Sequence, residues 1–210
     1  IEYRPGVILI TGSGKTWEEL VVAGKGLNYG SEIMVEKTAG KITGWAGYTL
    51  SWAKRKFEEI NNGKYFPFKF DRRHSLSLLV NYILEETGAK HKNVTLSFIF
   101  ASGNAITIPS EHIQGPLLPG MDTDFPYLDR FTWYGSFPQP NNYRMPPFHH
   151  LDLAYSASKK LKKERERIWK FSVYNVYNRL NPYFYYKQRD RYQQVSMLPL
   201  VPSVSWSLKF

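Results

Sequence analysis

Across 210 residues the chain sets 28 Lys and Arg against 18 Asp and Glu, a formal charge of +10, and it has no cysteine. Disulfides and thiolate metal centres are thereby excluded, and the lack of any run of about 18 apolar residues excludes a transmembrane helix. Aromatic residues reach 16%, which is high for a water-soluble domain and suits β-structure with aromatic girdles.

The elements are predicted from period-two alternation, taken in chain order. A strand near Tyr3 to Thr11 is weakened by Pro5 and Gly6. A link from Gly12 to Leu27 precedes a strand in which Ile33 and Val35 oppose Glu32 and Glu36. Ala39-Gly40-Lys41 reads as a turn. Ile42, Ala46, Tyr48, Leu50 and Trp52 then oppose Thr43, Thr49 and Ser51. After a link from Ala53 to Asp71, Leu76, Leu78, Val80, Tyr82 and Leu84 alternate with Ser75, Ser77 and Asn81. A short polar turn, Glu85 to His91, leads to Val94, Leu96, Phe98 and Phe100 against Asn93, Thr95 and Ser97. The longest link, Pro109 to Pro147, precedes Leu151, Leu153 and Tyr155 against Asp152, Ala154 and Ser156. Lys159 to Arg167 is a short charged turn, and Trp169, Phe171 and Val173 follow, the pattern breaking at Asn175. A last link, Arg179 to Gln194, precedes Pro202, Val204, Trp206, Leu208 and Phe210 opposite Ser203, Ser205, Ser207 and Lys209.

Short and long connections therefore alternate. Outer-membrane barrels have short periplasmic turns, long extracellular loops and strands of about 10 residues. A long Pro-, Gly- and aromatic-rich link inside a compact soluble domain argues against such an assignment. In hydrocarbon every backbone polar group has to be paired within the protein, and only helices or closed sheets achieve that. Without apolar helices, an antiparallel transmembrane β-barrel remains. Leu78, Val80, Leu96 and Phe98 are expected to face lipid, and Ser77 and Thr95 the lumen.

Few motifs carry chemistry. Gly12-Ser13-Gly14-Lys15-Thr16 looks like the end of a phosphate-binding loop, but Leu9 stands where the first glycine is required and no β-α units follow. His150 and Asp152 share a strand face, a start for a metal site, while His149 points away. Asp71-Arg72-Arg73-His74 reads as a structural junction between loop and strand. The basic run Lys159 to Arg167 reads as a solvated turn rather than a nucleic-acid arm. No nucleophile and base stand together, so no catalytic residue, metal ligand or cofactor is assigned and the chain is not read as an enzyme.

Several segments together resemble the late barrel strands of TonB-dependent outer-membrane receptors. They are Gly26-Leu27-Asn28-Tyr29-Gly30-Ser31-Glu32, Gly40 to Trp45, Tyr48 to Ser51, Asn61-Asn62-Gly63-Lys64, Phe66-Pro67, Asp71 to His74, Ser102 to Pro109, Phe148 to Leu153, Val173 to Asn178, Asn181-Pro182 and Leu198 to Phe210. The resemblance covers about Gly26 to Phe210. It implies a 22-stranded barrel, with residues 1–210 supplying about eight C-terminal strands of a single barrel domain and with the N-terminal plug absent. It implies the outer membrane of a Gram-negative bacterium and energised uptake of a bulky nutrient such as a metal chelate, oligosaccharide or peptide. Implied partners are outer-membrane lipid, the TonB complex through the absent N-terminal region, a surface lipoprotein and the barrel assembly machinery. That machinery would read Val204, Trp206, Leu208 and Phe210 as an assembly signal. Nucleic acid is not an expected partner. The alternatives are a complete eight-stranded outer-membrane barrel with a binding or structural role, and a barrel enzyme with His149 or His150 near a Ser and an acid.

Overall fold

The computed structural model describes residues 2–3, 17–108, 111–116, 131–136, 139–162, 165–188 and 191–210. The phosphate-loop-like Gly12 to Thr16, and the first predicted strand beyond Tyr3, lie outside the described residues. The chain divides into two compact units. One comprises Ile1–Asn28, Trp52–Asp71 and Asn104–Arg144; the other comprises Tyr29–Ser51, Arg72–Gly103 and Met145–Phe210.

The fold is all-β, and its main feature is an antiparallel sheet of eight strands. Seven are long: β1 (Lys25–Lys37), β2 (Ile42–Lys56), β3 (His74–Thr87), β4 (Lys90–Ala101), β5 (Phe148–Lys160), β6 (Glu166–Tyr174) and β7 (Val201–Lys209). The eighth is the two-residue strand Phe66–Pro67, paired with Lys54–Arg55 of β2. The long strands lie in the order β7-β6-β5-β4-β3-β2-β1, so spatial order equals chain order. Among the described residues, β1 and β7 are the two edges of this sheet.

Short and long connections alternate as the sequence suggests, but the strands run further than its alternation does. β2 continues to Lys56 and β1 begins at Lys25, which takes residues from both adjoining links. Gly88-Ala89 alone separates β3 from β4, and residues 161–165 separate β5 from β6. The reason is that ladder hydrogen bonds are made by the backbone, so pairing persists where Lys, Glu and Arg replace the apolar side chains. The link Arg179 to Gln194 is not structureless: Pro182–Gln188 pairs with Arg191–Ser196 as a hairpin.

Gly44 lies in β2 with φ +151°, and a Cβ there would meet the Leu79 carbonyl oxygen at 2.0 Å. Only glycine permits the β2–β3 approach at that point. Between Ile83 and Glu85 the β3–β4 register shifts by a bulge at Leu84.

The first unit holds a small core of Val22, Phe57, Ile60 and Phe66, with the Phe57 and Phe66 rings 6.1 Å apart. Asp71, 2% exposed, organises its loop. Its Oδ1 accepts the Ala53 N–H at 2.7 Å and its Oδ2 receives the Arg144 guanidinium, whose Nη1 donates to the Asp71 carbonyl at 2.6 Å. Asn141 Nδ2 donates to the Pro67 carbonyl at 2.7 Å, and the Arg55 guanidinium lies 4.1 Å above the Phe68 ring.

Candidate functional site

The functional geometry of the second unit lies in the two faces of its sheet. Cross-strand register sorts the side chains, because residues directly opposite share a face. Ala46, Leu78, Phe98 and Leu151 form one such row. The next row toward the short turns is Gly44, Val80, Leu96, Leu153, Val173 and Pro202. The one after it is Ile42, Tyr82, Val94, Tyr155, Phe171 and Val204. This face is therefore apolar across six strands.

Aromatic side chains border it at both ends. Toward the long links stand Tyr48, Phe100 and His149, with Phe100 and His149 stacked at 6.1 Å. The Tyr48 hydroxyl and His74 Nδ1 share a 2.8 Å hydrogen bond, and the Tyr177 hydroxyl and His149 Nδ1 share one of 2.6 Å. Burial raises the Tyr177 pKa, with Arg179 pulling it down and Asp152 adding to the rise. Toward the short turns stand Trp169 and Trp206, directly opposite each other with rings 6.4 Å apart. From the Tyr48 row to the Trp169 row is about 26 Å along a strand, at roughly 3.3 Å per residue.

Among the described residues of the second unit nothing buries this face: its central side chains Leu78, Val80, Leu96, Phe98, Leu151 and Leu153 are part-exposed. Among the unit's described residues the only buried hydrophobic side chains are Ala101 and Met145. Val204 remains 63% exposed, and the aromatic Phe171 and Trp206 are about half exposed. A sheet with one apolar face ordinarily buries it beneath another layer.

The opposite face is polar. Asn93 Nδ2 donates to Asn81 Oδ1 at 2.5 Å, and Thr95 Oγ1 donates to the same oxygen at 3.1 Å. Ser97, Asp152, Lys170 and Ser172 line a shallow hollow of about 220 Å³ on it. Some apolar groups interrupt this face, including the opposed pair Trp45 and Leu79.

The sequence-predicted residues fall as follows. Leu78, Val80, Leu96 and Phe98 share the apolar face; Ser77 and Thr95 lie on the polar one. Val204, Trp206 and Leu208 follow one face of β7, and Phe210 stands just past the strand end, 91% exposed. His149 and His150 point to opposite faces. His150 Nδ1 lies 2.8 Å from Asp152 Oδ1, and no group of three or more metal-ligating side chains occurs among the described residues. The Asp71 to His74 run acts at a junction: Asp71 fixes its loop as above, while the Arg72 and Arg73 carbonyls accept the hydroxyl and N–H of Ser51.

Sequence reasoning missed the hub at Asn175. This side chain is fully buried at φ +54°. It donates to the Arg179 and Leu198 carbonyls at 2.9 and 3.3 Å and accepts the Arg179 N–H at 3.0 Å, while its own N–H donates to Asp152 Oδ1. Asn181 donates to the His149 carbonyl and accepts its N–H. The signal available was the break in alternation at Asn175, where Asn readily takes a left-handed conformation. No family model, curated protein or solved structure matches the chain.

Proposed function

We propose that the chain is a membrane-spanning part of an outer-membrane β-barrel, and specifically the C-terminal part of a TonB-dependent transporter that takes up a bulky nutrient. The observation that supports membrane insertion is the uncovered apolar face, continuous across six strands, with aromatics at its long-link border and, on β6 and β7, at its short-turn border. In water such a face costs free energy at about 25 cal/mol per Å² of apolar area, and patches of this extent mark membrane or partner contact. Hydrocarbon removes the cost, and the apolar band of outer-membrane barrels is about 25 Å tall. The transporter assignment rests on the ordered family-like segments from Gly26 to Phe210. In that reading the polar face lines the lumen, toward the plug, and the TonB complex acts through the region N-terminal to this chain.

The test uses the full-length protein expressed in a Gram-negative host. It should sediment with the outer membrane, resist extraction by alkaline carbonate, and show heat-modifiable mobility in detergent gels. Its periplasmic N-terminal region should crosslink to TonB. Recovery as a water-soluble protein would overturn the barrel, whereas a heat-modifiable barrel without a TonB crosslink would overturn only the transporter.

A complete small barrel is the second reading, and strand number bears on it. Seven long strands are described, whereas single-chain bacterial barrels have an even number. The small barrel therefore requires an eighth strand beside β7, for which the sequence offers Tyr3 to Thr11. A disulfide between cysteines on those two segments should then form in the folded protein; in the larger barrel it should not.

A further inference from the structure

We infer that Lys90, Lys159 and Arg167 form a binding row for the phosphate headgroup of an anionic phospholipid, at the short-turn border of the apolar face. The inference rests on the membrane reading above and adds a lipid class and a place to it.

Lys90 lies directly opposite Lys159, and Lys159 directly opposite Arg167, so three cations form one row across β4, β5 and β6. All three are exposed. Like charges directly opposite on neighbouring strands destabilise a sheet, and this row places three in succession. Among the described residues its own pleat offers no carboxylate, since Thr87 and Leu208 continue it on either side. Glu85, the nearest acid by register on that face among the described residues, lies one row inward and is held by Lys92 Nζ at 2.5 Å, although Lys90 also lies in its field. Glu166 sits on the opposite face, paired in register with Lys160 and Lys209.

Depth selects the anion. The cations follow the Trp169 and Trp206 row by two residues, about 6.6 Å along the strand. A strand tilt of about 40° reduces this to about 5 Å along the membrane normal. Tryptophan marks the hydrocarbon border, and the polar layer beyond it is about 5–7 Å thick. The three cationic groups therefore stand at the level of lipid phosphates, on the same side as the lipid-facing chains. A soluble macromolecule would have to share that face with the acyl layer. Arg167 can hold two phosphate oxygens at once, and the lysines act as point charges.

The experiment uses the full-length protein in phosphatidylcholine vesicles, with its tryptophan fluorescence quenched by brominated phosphatidylglycerol or brominated phosphatidylcholine. Quenching lost in W169F/W206F assigns the signal to this border. Phosphatidylglycerol should quench it at several-fold lower mole fraction than phosphatidylcholine, and K90Q/K159Q/R167Q should bring the two lipids to parity. K90R/K159R should retain the preference. Each cation near an anionic surface contributes a factor of roughly five, so K159Q alone should lower the preference by up to about that factor. The single variant decides the matter if the triple variant fails to insert. Equal quenching by both lipids in the unsubstituted protein, or a preference unchanged in the variants, would overturn the inference and leave the barrel standing. Loss of the preference to inorganic phosphate at constant ionic strength would assign the row to free anions and overturn it too. Absence of quenching by either lipid would overturn both readings.

Discussion

Asn175 carries two burdens at one position, a left-handed backbone at φ +54° and three side-chain hydrogen bonds in a fully buried site. Replacing it with alanine removes the bonds and imposes about 1–2 kcal/mol of left-handed strain, on top of about 0.5–1.5 kcal/mol for each bond. Asn175→Ala should therefore destabilise the purified protein by about 3–6 kcal/mol in denaturant titrations in detergent. Asn175→Gly should recover the strain but not the bonds, so its loss should be smaller by about 1–2 kcal/mol. Equal losses would show that the backbone conformation contributes nothing. A second residue-scale outcome concerns the two faces. Leu96 lies in the middle of the apolar face and its neighbour Thr95 on the polar one. Leu96→Arg should cost about 2–4 kcal/mol of membrane-inserted stability, and Thr95→Arg far less. If both arginine variants fold into membranes equally well, the assignment of the faces is wrong.

Among the elements, β7 tests what a strand pattern can do beyond packing. Val204, Trp206 and Leu208 form a one-sided row along an edge strand, with Phe210 just beyond it. Strand addition to a free edge reads backbone hydrogen bonds together with alternate side chains. In the assembly-signal reading, deleting Phe210 slows insertion in cells much more than it weakens the inserted barrel. Pulse-chase of the heat-modifiable form in the full-length protein, set beside a denaturation curve, measures both. Normal assembly with lowered stability would leave Phe210 an interfacial anchor. The long strands and the order of their connections were legible in the sequence, because the apolar rows repeat at period two in all seven. Their ends were less so: Lys159, Lys160, Glu166 and Arg167 stay in the ladder through backbone bonds that side-chain polarity does not report. The Pro182–Gln188 hairpin was hidden by a sequence mixing aromatics and Gln without clear alternation. Nor does periodicity announce that Asp71 would hold Ala53 and Arg144, partners distant in the chain.

For the whole molecule, the barrel reading assigns each connection to a side of the membrane. Gly12 to Leu27, Ala53 to Asp71, Pro109 to Pro147 and Arg179 to Gln194 should be extracellular, trimmed by the strand ends found here. Single cysteines replacing Asn62 and Asn141 should react with an impermeant thiol reagent on intact cells, and one replacing Lys162 should be protected. Protection of the first two with labelling of the third would invert the topology. The strictly sequential strand order has another consequence. Among the long strands each pairs only with its predecessor and successor, so an antiparallel hairpin such as β3 with β4 is an interchangeable unit. Excising or duplicating one, and joining β2 directly to β5 or repeating residues 74–101, would leave every remaining strand pointing the same way, with its apolar side on the same face of the sheet. A sheet of this construction can change its width in steps of two strands without redesigning any strand, a freedom that folds with crossing connections lack.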